Sequence, residues 1–266
     1  MRSLDAQRRL RMRRRLGFTL RAPAGWATGP PDFVGIGAQR SGTSWWFGQI
    51  SRHPAVVTPS GKELHYFDRF WNAEFTAIDG DGYQALFPRP PGKLTGEWTP
   101  RYMYDPWTLP LLQSCAPTAK ILVLLRDPWD RFISGLGHER RVFARELRGR
   151  RERDLGLMIR ADAFRRSIYS DQIRNVLRHV DRSRLLILQY ERCVTEPEAE
   201  LGRTLEFLDL DPVPIEIEKR GPTAGNRRAQ LPVAIADELR ETLAADVDRL
   251  VEMAPEIDPE LWPSAR

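Results

Sequence analysis

The sequence predicts an α/β fold: a single domain with a central, mostly parallel sheet flanked by helices. Three observations predict it. Short apolar runs at 33–36, 55–57, 120–125 and 184–191 alternate with stretches of helical periodicity. The clearest runs are continuously apolar rather than alternating, as in strands covered on both faces. The first run passes through a glycine loop straight into a helix start, a P-loop-like order suited to holding phosphate. A chain of 266 residues with 41% hydrophobic content is enough for one good-sized domain. The expected division is a basic N-terminal arm over 1–30 and the folded domain over 31–266.

Taken in order, Gly29-Pro30-Pro31 is a breaker cluster, and 33–36 is the first buried strand. Gly37 to Gly42 forms a small loop whose glycines let the backbone approach an anion closely. From Thr43 the pattern is helical, with Trp46, Phe47 and Ile50 spaced onto one face. A Walker A loop ends Gly-Lys-Ser/Thr; here Thr43 stands where the lysine belongs, and the loop's cation is Arg40. A nucleoside triphosphatase would therefore lack the group that reaches its terminal phosphates. On its own the loop divides evenly between an anion cradle and a plain strand-to-helix turn. Residues 51–54 end the helix, 55–57 form a second short strand, and 59–61 turn the chain.

Lys62-Glu63-Leu64-His65-Tyr66-Phe67-Asp68 follows. Out of context the Lys-Glu pair reads as a surface pair and His65 as a half-buried histidine. Residues 69–93 are aromatic and turn-rich. The stretch 106–116 reads as a helix, and 120–125 is the plainest buried strand. It ends in Arg126-Asp127-Pro128, and a helix begins there with Pro128 in its first turn. In open α/β sheets ligands gather beyond the carboxyl ends of strands. Arg126 lies at such an end, and Ser134 is further along the helix. The bland readings are a salt bridge to Asp127 or Asp130 for Arg126 and a small packing residue for Ser134. Residues 138–166 are charge-dense: a solvated helix and loop by default, or a flap over an acceptor site. Helices follow at 169–179, 198–208 and 232–253, with a break at Gly221–Arg228 and with Trp262 capping the core.

Net charge is +5, unevenly spread. Residues 1–21 hold eight arginines against the single acid Asp5, leaving 33 bases and 35 acids for the rest. The basic balance describes the arm, not the fold. A single aromatic residue, Phe18, stands among those arginines, so nucleic acid is not the expected partner. A solvated extension, packed on the body or on the second subunit of a homodimer, is the preferred reading. Cys115 and Cys193 share no metal or redox spacing, and no His/Cys cluster offers a metal site. No apolar run is long enough for a transmembrane segment, and no signal segment opens the chain.

Gly37 to Trp45, the Lys62–Asp68 segment, and Arg126-Asp127-Pro128-Trp129-Asp130-Arg131-Phe132-Ile133-Ser134, in this order, resemble the PAPS-dependent sulfotransferases, nearest the bacterial and heparan-sulfate-type branch. The resemblance runs from about Asp32 to Trp262. It implies transfer of a sulfuryl group from PAPS (3′-phosphoadenosine 5′-phosphosulfate, leaving PAP) to a hydroxyl or amine of a small-molecule, glycolipid or saccharide acceptor. By resemblance Glu63 takes the acceptor's proton, with His65 second choice, and Arg40 offsets charge on the leaving phosphate. Ser41, Gly42, Thr43 and Ser44 hold the 5′-phosphate, and Arg126 and Ser134 the 3′-phosphate. Arg227 and Arg228 stand in a basic loop that closes over the cofactor in the family. Some members carry a lysine where this chain has Trp98; Arg40, Lys62 or Arg101 would have to compensate. The expected enzyme needs no metal and works in a bacterial cytoplasm. Two rivals stay open: a P-loop nucleotide kinase with a degenerate loop, and a non-catalytic nucleic-acid binder using the arm.

Overall fold

A computed structural model describes residues 22–143, 161–218 and 231–263. Its centre is a five-stranded sheet in the order β3-β5-β2-β6-β7, parallel throughout. The strands are β2 Phe33–Gly37, β3 Val56–Val57, β5 Leu94–Trp98, β6 Lys120–Leu125 and β7 Leu185–Gln189. A separate two-residue pairing joins β1 Ala27–Thr28 to β4 Pro88–Arg89, antiparallel, so residues just before the sheet lie against the body.

Successive strand side chains point to opposite faces, and both faces here are apolar. Val34, Ile36, Ile121, Val123, Leu125, Leu185 and Ile187 enter one core cluster. Phe33, Leu122, Leu124, Leu186 and Leu188 enter the other. The first face is covered by α3 Thr108–Cys115, α5 Tyr169–His179 and α8 Val233–Met253, together with the aromatic group Tyr66, Phe67, Tyr83 and Phe87. The second is covered by α1 Thr43–Ile50 and α7 Pro197–Phe207. Double coverage is what makes the strands read as continuous apolar runs.

The strand order positions the site. From β2 the chain leaves through α1 to β3 on one side of the sheet, while β6 and β7 are added on the other. The loop after β2 and the turn after β6 therefore open side by side at the carboxyl ends of adjacent strands. That is where a parallel sheet forms its crevice. Helix α4, Pro128–Phe143, starts from the second of these turns.

Three elements differ from the sequence reading. β5 carries Leu-Thr-Gly-Glu-Trp, with a carboxylate in a buried strand. Glu97 is fully buried, and Tyr83 and Thr99 donate their hydroxyls to it. Those partners, remote or two residues on, are what make a strand possible there. Helix α2, Ala77–Gln84, falls in the stretch read as loop. It has little apolar periodicity, and its start is set by Asp79, which accepts from the amide and hydroxyl of Thr76 at 3.1 and 2.8 Å. Finally, Tyr190 and Glu191 do not extend β7; they open a short helix, α6 Tyr190–Thr195.

Candidate active site

The glycine loop is shaped before any ligand arrives. Its first amide, on Ala38, donates to Leu124 O of β6 at 2.9 Å. Arg131, buried on α4, donates from Nε to Gln39 O at 2.9 Å. Arg40 and Gly42 both have positive φ, 72° and 91°. Gly42 is the N-cap of α1, and no side chain caps that helix. The amides of Gly42, Thr43 and Ser44 find no acceptor among the described residues. Three N–H groups at a positive helix end, with no internal partner, form a preset anion seat. Ser41 adds to it: its hydroxyl oxygen is fully buried, lies near the Tyr169 hydroxyl, and makes no hydrogen bond of normal geometry.

The second motif meets this loop directly. Arg40 donates from Nε to Ser134 Oγ at 3.1 Å, across 94 residues of chain. Arg126 pairs with Asp130 at 2.8 Å, the salt bridge that sequence reading held as the bland alternative. That pair uses one terminal nitrogen only; Arg126 Nε is buried without a partner. Its guanidinium lies 5.1 Å from the centre of the Tyr190 ring, which Trp45 meets edge-on at 6.3 Å. Tyr169 donates its hydroxyl to Arg126 O at 3.0 Å. Arg40 and Ser134 thus join the glycine loop to α4, while Arg126, at the end of the neighbouring strand β6, lies over the Tyr190 ring.

The third segment lies at the end of β5. Trp98, fully buried, donates its indole N–H to Gly37 O at 3.1 Å, and its carbonyl accepts the Glu63 amide at 3.1 Å. It ties the Glu63 backbone to the start of the phosphate loop. Trp98 therefore faces inward and supplies no cation here. Glu63 and His65 both sit at positive φ, 61° and 54°. Lys62 Nζ is 2.6 Å from Glu63 Oε1, and His65 Nε2 is 4.0 Å from Glu63 Oε2. Asp68 Oδ2 is 3.0 Å from His65 Nδ1. Glu63 is held at a pKa of about 2, chiefly by His65; burial opposes this next, and Lys62 adds a further lowering. Burial pushes the Lys62 ammonium below its ordinary range. Arg101 is turned to Asp105 and Asp68, at 2.5 and 3.7 Å, so it already has two carboxylate partners.

Three expectations fall outside the described residues: Arg227 and Arg228, the arginine arm over 1–21, and most of the charge-dense 138–166 stretch. Sequence reasoning missed Arg131, Tyr169, Trp45 and Tyr190 as parts of the crevice. Arg131 sits inside a motif that was quoted, but only the fold reveals that it reaches back to the loop. Among the described residues no group of His, Cys, Asp and Glu could hold a metal ion, and no helix is long and apolar enough to cross a membrane.

Comparison with known proteins decides the family. A model of the sulfotransferase domain matches residues 30–220.

The chain belongs to the sulfotransferase family.

This sulfotransferase chain is 29% identical over 186 residues to the human heparan sulfate glucosamine 3-O-sulfotransferase 3B1, covering 68% of this chain and 46% of that protein. Against the mouse heparan sulfate glucosamine 3-O-sulfotransferase 6 it is 30% identical over 209 residues, covering 72% and 57%. A membrane-associated sulfotransferase of Dictyostelium discoideum is 36% identical over a shorter 106 residues, 39% of this chain and 22% of that one. The chain spans about half the length, or less, of these curated relatives. Among solved structures, a sulfotransferase from Alicyclobacillus acidocaldarius has the same fold, with a TM-score of 0.66, 24% identity, and coverage of 88% of this chain and 99% of that one.

Proposed function

We propose that this chain transfers a sulfuryl group from PAPS to a hydroxyl of a saccharide or small-molecule acceptor. The observation that carries the reading is the hydrogen bond from Arg40 Nε to Ser134 Oγ at 3.1 Å, which joins the two anion-binding motifs into one crevice. A nucleotide with phosphates at both ends of its ribose needs two anion seats with an aromatic surface between or beside them. Family membership agrees with this, and the donor set fits it. The amides of 42–44 and the hydroxyls of Ser41, Thr43 and Ser44 would take the 5′-phosphate. Arg126, with its unpartnered Nε, and Ser134 would take the 3′-phosphate. Trp45, half-buried on the first turns of α1, offers ring surface for a purine. When bound, PAPS supplies an activated sulfuryl group on its 5′-phosphate.

The chain's own residues account for the rest. Arg40, in the loop and tied to Ser134, offsets negative charge at the 5′-phosphate. Glu63 is the base that receives the acceptor's proton. A carboxylate held near pKa 2 by its neighbours is a weak base in the resting site. It is nevertheless ionised throughout the neutral range. If Lys62 turns toward the transferring group, Glu63 loses one of the two neighbours that depress it. His65, oriented by Asp68 at Nδ1, keeps Nε2 on the Glu63 side and can share the proton. Lys62 is thus the second cation that Trp98 does not provide.

The saccharide side of the proposal rests on the heparan sulfate relatives, whose names state a glucosamine acceptor. Incubating the protein with sulfur-labelled PAPS and a panel of saccharides and small hydroxylated acceptors tests it. Label transferred to acceptor with release of PAP is expected; phosphoryl transfer from Mg²⁺–ATP instead would favour the kinase reading.

A further inference from the structure

Beneath the second anion seat lies a carboxylate with no cationic partner. Glu191, on the first turn of α6, accepts the Asp127 amide at Oε1, 3.0 Å, and the Trp262 indole N–H at Oε2, 2.7 Å. Both donors are neutral, and no ion pair to Glu191 occurs among the described residues. The residue before it, Tyr190, is the one whose ring lies under the Arg126 guanidinium. Two consecutive residues of α6 therefore grip two consecutive residues of the second motif: Tyr190 the side chain of Arg126, Glu191 the backbone of Asp127. The grip extends to the end of the fold through Trp262, fully buried, and across to α5, where Tyr169 holds Arg126 O.

We propose that Glu191 is a positioning residue for the phosphate seat: through the Asp127 amide it fixes the turn that aims Arg126, and its ionisation weakens the grip of that seat on an anion. The inference rests on the PAPS reading only for the identity of the anion. A carboxylate sunk beside two neutral donors pays a large desolvation penalty for its charge. Burial raises its pKa to about 7, opposed by the bonds from Asp127, Trp262 and its own amide. The titratable groups facing it are Asp127 from the turn before α4, Tyr169 from α5 and Cys193 from its own helix. None of these brings a positive charge, and Asp127 pushes the same way as burial. Below pH 7 the turn is held by a neutral acid; above it, the acceptor of the amide next in chain to Arg126 carries a negative charge. The sign for stability follows. A carboxyl whose pKa rises from 4.5 to about 7 on folding contributes stability that is complete below pH 4.5 and is lost as pH rises through 7.

The test compares the wild-type protein with Glu191→Gln, using PAP as the probe, from pH 6 to pH 8.5. Titration of the PAP phosphates affects both proteins alike and cancels in the ratio of their Kd values. The wild-type to variant Kd ratio is expected to rise about threefold to tenfold across this range. With the Tm series extended down to pH 4.5, wild-type Tm should fall as pH rises to 7 and level off above it, and this fall should be absent from the variant. A ratio that stays constant with pH, with parallel Tm curves, overturns the proposal. Should the variant not fold, hydrogen exchange of the wild-type Asp127 amide decides: protection that changes through pH 7 beyond the intrinsic rate is expected, and flat protection refutes it. If PAP binds neither protein at any pH, the cofactor reading fails, and the Tm and exchange profiles still judge Glu191.

Discussion

Glu63, Arg126 and Ser134 are the side chains on which the chemistry can be tried one at a time. Glu63→Gln keeps the shape of the side chain and removes the proton acceptor. It is expected to cut kcat by roughly a hundredfold or more while leaving PAP affinity nearly intact. Comparable losses in both, measured by steady-state kinetics and calorimetry, would make Glu63 a structural residue. Arg126→Ala should act the other way, raising the Kd for PAP at least tenfold, about 1.4 kcal/mol, with little effect on the rate at saturation. Sequence alone brought these residues into view because their motifs are short and local. It did not separate Glu63 from His65 as the base, since that depends on Lys62, Asp68 and the end of β5 converging in space. Trp98 was the least legible of all. A tryptophan at that position gives no hint that its indole holds Gly37 O and its carbonyl holds the Glu63 amide.

At the scale of elements, the strand–loop–helix from β2 to α1 carries the cofactor seat, and two of its glycines are there for different physical reasons. Gly42 has a φ of 91° at the uncapped N-terminus of α1. Gly42→Ala would meet the left-handed penalty, about 1–2 kcal/mol, and would reset the amides of 42–44. A loss of PAP binding with only a modest fall in Tm is expected. Gly35 lies under the Trp98 ring, where an added Cβ would come within 2.0 Å of ring carbons. Gly35→Ala should therefore fold poorly, losing more than the usual ~1–3 kcal/mol of an overpacked core, as read by denaturant unfolding. Most elements were legible because their apolar period is strong: β2, β6, α5 and α8 follow the pattern closely. β5 was not, because its buried Glu97 is solvated by Tyr83 from α2 and by Thr99, and pattern reading cannot count on such partners. The apolar run 184–191 predicts that the Tyr190–Glu191 pair is the tip of β7. Its place at the head of α6 is what lets it hold the second motif.

For the molecule as a whole, the sheet order makes one crevice out of segments far apart in sequence. β2 and β6 are neighbours, so the loop at 37–42 and the turn at 126–128 share an edge, and the Arg40–Ser134 bond closes the gap. Strand–helix alternation announced an α/β sheet of parallel strands; it carried no information on which strands would be adjacent. That order came only from packing both faces at once. A ligand that grips both motifs should stabilise the fold as a unit, by about 2.7 kcal/mol at a hundredfold excess over Kd, seen as a rise in Tm with PAP. The most direct measurement is calorimetric titration of the protein with PAP, adenosine 5′-phosphate and Mg²⁺–ATP in one buffer. Two cooperating seats predict that PAP binds at least tenfold more tightly than adenosine 5′-phosphate, that Arg126→Ala erases this advantage, and that Mg²⁺–ATP gains nothing. Equal affinity for PAP and adenosine 5′-phosphate, or tightest binding of Mg²⁺–ATP, would contradict it.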